Sequence, residues 1–114
     1  MPSVPERLKR RAEFLRVAAS GRRAALPGLV LQARDRGDDE PVRAGFTVTK
    51  KVGNAVVRNR TRRRLKEAAR RLLHEGTPRG VDLVLIGRDA TRGRNFAALT
   101  DDLRRALARV GAAP

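Results

Sequence analysis

The chain has 114 residues, enough for one domain with a single modest core, and three phenylalanines without tryptophan or tyrosine make that core mostly aliphatic. Twenty-seven lysines and arginines against twelve acids give a net charge of +15, which indicates a protein that binds a polyanion. With no cysteine, the chain cannot form a disulfide, a thiolate metal site or a cysteine nucleophile, so we expect a reducing, cytoplasmic setting.

The N-terminal part of the chain predicts an arm and a helix. Residues 1–10 are polar and include two prolines, which indicates a mobile basic arm. Residues 11–20 predict a short amphipathic helix that ends at Gly21. We expect its buried stripe to be Ala12, Leu15, Ala18 and Ala19, with Phe14 and Val17 on the adjacent stripe. Phe14 is open to two interpretations, a side chain of the core or an exposed platform on which a nucleobase stacks.

Three strands are predicted. Residues 29–34 are rich in leucine and valine, and residues 42–48 alternate apolar with polar side chains, as half-buried strands do. The turn-like acidic loop between them favours an antiparallel hairpin of these two strands. Residues 81–86 are almost continuously apolar, which indicates a central strand covered on both faces.

Two further helices are predicted, each with an asparagine at its N-cap position. Asn54 precedes the first, which Gly76 and Pro78 are expected to end. Its apolar face is predicted to comprise Val57, Leu65, Ala68, Ala69 and Leu72. Asn95 precedes the second helix. Its buried stripe is predicted to comprise Phe96, Leu99, Leu103 and Leu107.

The order helix, strand, strand, helix, strand, helix predicts an α+β fold, a two-layer sandwich of a small central sheet and helices. The domain is expected to cover residues 11–110, followed by a tail at residues 111–114. His74 is the only histidine, so the sequence offers no histidine cluster for a metal. Its place near a helix end favours a surface role over catalysis.

Residues 50–66 are the most informative stretch. A polar turn leads into a helix that carries five arginines between residues 58 and 64. Four pairs of cations in this helix stand at i,i+4 spacing, and each pair destabilises an isolated helix by roughly 0.2–0.5 kcal/mol. Folding alone does not offset that cost, so the arrangement predicts an anionic partner. The backbone N–H groups of residues 52–54 and of the helix start are candidates to hold a phosphate.

The same stretch resembles the signature of the bacterial ribonuclease P protein subunit. That signature is a strand with small hydroxyl residues, two lysines, Gly-Asn-Ala-Val, any residue, Arg-Asn-Arg and further basic residues, and residues 47–63 match it nearly throughout. Leu8, Phe14, Val17 and Gly21 resemble the family's first helix, and residues 82–86 resemble its late strand. The family's last helix is matched by Phe96, Leu99, Leu103 and Leu107. The resemblance covers about residues 8–110.

The resemblance implies the protein component of an endoribonuclease whose RNA subunit removes the 5′ leader of precursor tRNA. In that case the partners are the catalytic RNA and precursor tRNA, with no membrane and no small-molecule substrate. The protein has no catalytic residues of its own, and Mg²⁺ serves the holoenzyme while bound mainly to RNA. The implied fold has a left-handed βαβ crossover, as in the second domain of ribosomal protein S5, against the usual hand.

Two sets of site residues follow from the resemblance. The candidate RNA-binding set is Lys50, Lys51, Asn54, Arg58, Asn59, Arg60, Arg62, Arg63 and Lys66, and Asn59 also lies near a metal position of the family. The candidate leader-binding cleft comprises Phe14, Val17, Ala18, Val30 and Gln32. Ala18 and Gln32 stand where relatives often carry aromatic residues, so stacking on leader bases should depend mainly on Phe14. Arg64 stands where an apolar residue is usual, which changes how the helix packs there or adds a phosphate contact.

Other interpretations of the basic helix stay open at this point. A general RNA-binding or ribosomal-type protein would use the helix to neutralise phosphates without a leader cleft, and the composition permits it. A DNA-binding helix is disfavoured because no helix-turn-helix pair precedes it. The remaining alternative is a solvated run of charges without a partner.

Replacing Arg58, Arg60 and Arg62 together by alanine should weaken RNA binding and reduce its salt dependence. Each lost phosphate contact removes roughly 0.9 from the slope of log affinity against log salt for duplex nucleic acid. Titrations over a series of salt concentrations measure that slope, and a slope equal to that of the unchanged protein would contradict the prediction.

Overall fold

A computed structural model describes residues 6–73 and 79–112. The strands are β1 (Glu6–Arg7), β2 (Arg22–Leu26), β3 (Leu29–Asp35), β4 (Arg43–Val48) and β5 (Val81–Gly87). The helices are α1 (Arg11–Ala19), α2 (Ala55–Leu72) and α3 (Phe96–Arg109), and short 3₁₀ turns lie at Lys50–Val52 and Asp89–Arg92. The predicted α+β class is confirmed. The expectations for residues 1–5, for His74, Gly76 and Pro78, and for residues 113–114 lie outside the described residues.

The strands form one sheet in the order β1-β4-β5-β3-β2. β5 lies at its centre, parallel to β4 and antiparallel to β3, while β1 and β2 form the edges. The predicted hairpin of residues 29–34 with residues 42–48 is therefore wrong, because β5 lies between these strands. The most apolar strand takes the central place, where both faces are covered, and the two less apolar strands flank it. β4, α2 and β5 form the parallel βαβ unit that the resemblance implies, and its left hand stays a prediction.

The hairpin partner of β3 is β2, a strand that the sequence pattern did not reveal. Leu26 pairs with Leu29 across the two-residue turn Pro27-Gly28. Only Ala24 and Leu26 of β2 have buried side chains, so its alternation is too weakly apolar to stand out. The Pro-Gly dipeptide was the available signal, since this pair marks turns. β1, with two residues, is too short to produce any pattern.

The main core lies between one face of the sheet and the pair α2 and α3. It buries alternate residues of the strands, among them Leu29 and Leu31 of β3 and Leu83 and Leu85 of β5. The predicted apolar faces of both helices are confirmed, with Leu65, Ala68 and Ala69 buried in α2 and Leu99, Leu103 and Leu107 in α3. Asn95 caps α3 as predicted, because its Oδ1 accepts hydrogen bonds from two backbone N–H groups. No helix within the described ranges is both long and apolar enough to cross a membrane.

The opposite face of the sheet carries α1, which packs through a stripe other than the predicted one. Val17 is fully buried in a second, small cluster with Leu8 and Val84, and Phe14 packs against this cluster. Leu15 is 55% exposed. The three alanines of the predicted stripe, Ala12, Ala18 and Ala19, are exposed as well. The prediction was wrong because the larger side chains, spaced i,i+3, reach the sheet and turn the small ones outward.

Gly45 of β4 lets α1 approach the sheet. A Cβ atom at this position would lie 2.5 Å from Cε2 of Phe14 and 3.2 Å from Cδ1 of Leu8. The ring of Phe14 therefore lies directly on the backbone of β4. This contact supports the interpretation of Phe14 as a core side chain, and the ring is half-buried.

We predict that Gly45→Ala destabilises the protein by about 1–3 kcal/mol, because the added methyl group overpacks the contact between α1 and the sheet. Urea unfolding measures the loss. Gly93→Ala is the matched control, since a Cβ at Gly93 would meet nothing within 4 Å and the residue has a φ of −103°. Equal stability of the two variants would contradict the prediction.

Candidate nucleic-acid interface

The turn before α2 presents two lysines. Lys50 and Lys51 are exposed, and the buried side chain of Val52 anchors the turn between them and the helix. The backbone N–H of Val52 donates to the carbonyl of Thr49 at 3.1 Å, and that of Gly53 donates to the carbonyl of Lys50 at 3.2 Å. These two N–H groups are thus used within the turn, which leaves the lysine side chains and the start of α2 as candidates for the predicted phosphate contact.

Asn54 caps α2 as predicted. Its Oδ1 accepts a hydrogen bond from the backbone N–H of Val57 at 3.0 Å. The first turn of α2 contains no acidic residue, so the partial positive charge of the helix N-terminus adds to that of Lys50 and Lys51. The start of the helix is therefore a favourable place for an anion.

The cations of α2 lie on both sides of its buried stripe, because successive helical residues are about 100° apart. Arg58, Arg62 and Lys66 follow each other at four-residue spacing and are all half-buried on one flank, which we call the outer flank. The opposite flank faces α3 and carries Arg60 and Arg64. Asn59, Arg63 and Arg70, on the side away from the sheet, are exposed.

The outer flank lacks compensating negative charge. Among the described residues, no ion pair involves any residue from 50 to 66. Burial lowers the pKa of Lys66, and the positive charges of Arg7 and Arg62 lower it further. Nε of Arg58 is buried without a hydrogen-bond partner in the described part of the chain. An anion bound here would relieve this repulsion.

Asn59 is the candidate metal ligand. Its Oδ1 accepts a hydrogen bond from Nη2 of Arg62 at 2.8 Å, so its one carbonyl oxygen faces a cation. The described residues contain no group of three or more His, Cys, Asp or Glu side chains that could hold a metal ion. These residues alone do not fit Mg²⁺, which prefers several oxygen ligands, and RNA phosphates would have to complete a site here.

The contact between α2 and the start of α3 accounts for the arginine at position 64. Its Cζ lies 5.7 Å from the centroid of the Phe96 ring, and Cζ of Arg71 lies 4.8 Å from it. Nη2 of Arg64 also donates to the carbonyl of Arg94. Arg64 therefore packs between α2 and the start of α3, which is the first of the two consequences expected for an arginine at this position.

The candidate cleft residues lie on the α1 side of the molecule. Val30 pairs with Ile86 and Gln32 with Val84, so Val30 and Gln32 share the sheet face that carries α1. Gln32 is half-buried and Val30 is buried. In α1, Ala18 is exposed, whereas Val17 is fully buried and supports the helix from beneath. The side chains of Ala18, Gln32 and half-buried Phe14 are the accessible part of the set.

A buried carboxylate sets the position of α1. The side chain of Asp82 in β5 is 1% exposed and accepts from Nε and Nη2 of Arg43 at 2.9 and 2.8 Å and from Nη1 of Arg36 at 2.6 Å. Burial acts to raise the pKa of Asp82, but the hydrogen bonds from Arg43 and Arg36 outweigh it and hold the pKa below its ordinary value. The carboxylate therefore stays ionised inside the protein.

The network continues from Arg43 into α1. Nη1 of Arg43 donates to Oε2 of Glu13 at 2.8 Å, and Oε1 of Glu13 accepts from the backbone N–H groups of Lys9 and Arg10. These two backbone hydrogen bonds, with the charge of Arg43, lower the pKa of Glu13. One chain of ionic contacts thus connects the central strand to the N-terminus of α1, the helix that carries three of the candidate cleft residues.

Comparison with known proteins decides the family. The sequence profile described as Ribonuclease P matches residues 3–111. The chain belongs to the ribonuclease P protein family. The ribonuclease P protein component of Gluconacetobacter diazotrophicus is 69% identical over 111 residues, which cover 97% of this chain and 96% of the relative. That of Paramagnetospirillum magneticum is 52% identical over 111 residues, covering 94% and 84%.

Solved structures of ribonuclease P proteins share the fold. The protein from Staphylococcus aureus superposes with a TM-score of 0.79 at 25% identity, covering 95% of this chain and 97% of that one. The protein from Thermotoga maritima gives a TM-score of 0.75 at 31% identity, covering 91% and 96%. The chain is accordingly a protein component of ribonuclease P, a ribonucleoprotein of tRNA processing.

Sequence reasoning missed the ionic network of this ribonuclease P protein and the contact of Arg64 with Phe96. A signal for the network was present, because Asp82 is the one charged residue in the apolar run of residues 81–86 and a buried carboxylate needs cationic partners. Which of the 23 arginines would supply them could not be read from the sequence. The partners Arg36 and Arg43 lie far from Asp82 along the chain.

We predict that Asp82→Asn costs about 1.5–3 kcal/mol of stability, because Arg36 and Arg43 lose the charged acceptor that they share, while Asp38 and Glu13 still offset part of their charge. The stabilisation from Asp82 is complete above its ordinary pKa of 3.8 and is lost as the pH falls through the lowered pKa of the folded state. Urea unfolding at pH 7 and at steps below pH 4 measures both effects.

The control for this substitution is Asp39→Asn. Asp39 is 94% exposed and pairs with Arg79 at 3.4 Å, so its loss should change stability little. The difference between Asp82→Asn and the unchanged protein should narrow as the pH falls below about 4. A constant difference down to the acid limit would contradict the role given to the Asp82 charge.

Proposed function

We propose that this protein binds the catalytic RNA of ribonuclease P through α2 and the turn before it, and the 5′ leader of precursor tRNA through the cleft beside α1. The RNA subunit cuts the leader, and the protein positions the two RNAs. The observation that carries the proposal is the outer flank of α2, a row of cations that has no carboxylate partner in the described chain.

The chemistry of the helix suits RNA phosphates. Arginine forms bidentate contacts with phosphate, and Arg58 and Arg62 are held at fixed spacing on a rigid element. Lys50 and Lys51 add charge at the helix N-terminus, where a phosphate is favoured. Because these groups repel one another in the free protein, binding gains from relief of that repulsion as well as from released counterions.

The cleft suits a single strand more than a duplex. Its accessible groups are the half-buried ring of Phe14, the amide of Gln32 and the small side chain of Ala18. Because Phe14 packs on Gly45, its ring is held at a fixed place beside the sheet. With one aromatic ring rather than several, contacts to the leader would depend on its backbone as much as on its bases.

The ionic network would act on leader binding without touching the leader. Asp82, Arg43 and Glu13 fix the N-terminus of α1 over the sheet, and α1 forms one wall of the cleft. Magnesium ions, held mainly by RNA, would supply the charge stabilisation that phosphodiester cleavage requires. The protein contributes binding and orientation.

Addition of the protein to a ribonuclease P RNA and precursor tRNA at low magnesium should restore 5′ cleavage that the RNA performs slowly alone. Since the proposed role is positioning, the affinity gained on adding the protein should be larger for a substrate with a leader of several nucleotides than for one with a single leader nucleotide. Cleavage assays and binding titrations on both substrates measure this.

The triple variant Arg58→Ala, Arg60→Ala, Arg62→Ala should lose the stimulation, while Gln32→Ala should reduce only the advantage of the longer leader. RNA binding without any stimulation of cleavage would favour a general RNA-binding protein instead. Equal stimulation for the two leaders would remove the cleft from the proposal and leave the helix.

A further inference from the structure

A groove lies between α2 and the segment that leads into α3, on the flank of α2 opposite to Arg58 and Arg62. Its volume is about 620 Å³, which is within the range of small-ligand sites. Its lining includes Arg60, Arg63, Arg64 and Glu67 of α2, Arg92 of the 3₁₀ turn and Phe96 of α3. Arg92 and Phe96 belong to neither set of expected site residues.

The groove is cationic. Arg60 and Arg63 are exposed, and neither forms an ion pair with any described residue. Arg92 has one carboxylate nearby, that of Asp89 at 3.6 Å, and this carboxylate is 80% exposed. Glu67 contributes negative charge to the lining, but Arg70 holds its carboxylate at 2.8 Å. Charge complementarity therefore favours a polyanion as occupant.

The groove also contains a flat stacking surface. The guanidinium of Arg64 lies over the Phe96 ring, and its Nη2 donates to the carbonyl of Arg94, which fixes its position. Its Nε is buried and has no acceptor among the described residues. Planar guanidinium groups and aromatic rings are the surfaces on which unpaired bases stack. The groove thus combines cations for a phosphate with a plane for a base.

We propose that this groove binds one unpaired nucleotide of the catalytic RNA, with its phosphate near Arg63 and Arg92 and its base stacked on the guanidinium of Arg64, which the Phe96 ring supports. The proposal rests on the proposed function. The catalytic RNA is the occupant because the groove shares α2 with the RNA-binding set, whereas the leader cleft lies on the other face of the sheet. RNA would then contact α2 on both flanks.

Two substitutions separate charge from stacking. Arg92→Ala removes a cation outside α2 and should reduce the slope of log affinity against log salt by roughly 0.7, the value per contact for single strands. Arg64→Lys keeps the charge but removes the plane, so affinity should fall by roughly 5- to 100-fold at a nearly unchanged slope. Titration of each full-length variant with ribonuclease P RNA over a salt series gives both quantities, and thermal melts verify folding.

The matched control is Arg109→Ala, which removes the same charge from the exposed end of α3 and should bind like the unchanged protein. If Arg92→Ala has the slope of this control, or if Arg64→Lys keeps full affinity, the proposal is overturned. The double variant Arg58→Ala, Arg62→Ala on the outer flank tests the proposed function separately. If the double variant binds weakly while Arg92→Ala and Arg64→Lys bind like the unchanged protein, only the groove is rejected. If all of these variants keep full affinity, RNA binding by α2 is rejected altogether.

Discussion

The carboxylate of Asp82 is the group on which the rest of this structure depends. It lies in the central strand, nearly without solvent contact, and Arg36 and Arg43 converge on it, with Arg34 at 3.8 Å as a third cation. Removing such charges from water costs several kcal/mol per ion unless each ion is paired and its hydrogen-bonding groups have partners. Arg36 meets that condition by also donating to the carbonyls of Glu40, Pro41 and Val81, which orders the acidic loop. The pairing of the strands, the conformation of the acidic loop and the position of α1 therefore depend on one another.

A second buried carboxylate, that of Asp102, has a similar role at the other side of the molecule. It accepts from the backbone N–H of Gly28 at 2.9 Å and from Nε of Arg94 at 2.5 Å. A Cβ at Gly28 would lie 2.6 Å from the carboxylate, so the turn between β2 and β3 needs glycine for this close approach. Because Arg94 in turn offers its carbonyl to Arg64, a core contact positions the guanidinium that covers Phe96. The surface groove is thus held by interactions that begin in the core.

The sequence predicted those parts of the fold that local pattern determines. The caps by Asn54 and Asn95, the leucine stripe of α3 and the apolar β5 each follow from spacing within one element, and the structure confirms them. The predicted hairpin of β3 with β4 was wrong because pairing depends on which edge of β5 each strand occupies. The sequence pattern also gave no sign of β2, whose side chains are only weakly apolar. The predicted buried stripe of α1 was wrong because it rested mainly on alanines rather than on the side chains that are long enough to reach the sheet.

For the candidate site, the family motif gave the residues but not their geometry. It grouped the cations of α2 as one set, whereas helical geometry distributes Arg58 and Arg60 to opposite flanks. The motif also gave Val17 as part of a binding cleft, and the structure buries it completely. The roles of Arg43, Asp82 and Glu13 depend on contacts across some 30–40 residues of chain, and a single sequence does not contain them.

The distribution of acids gives the molecule an uneven charge. No aspartate or glutamate occurs from residue 41 to residue 66, so every acid lies in other parts of the chain, where many of them neutralise arginines. The turn before α2 and the first turns of that helix therefore form a region whose positive charge no acid of the same segment offsets. The electric field of a polyanion orients a molecule with such a region before contact, so that the positive region meets the polyanion first. Encounter rates should consequently depend on ionic strength more strongly than net charge alone would suggest.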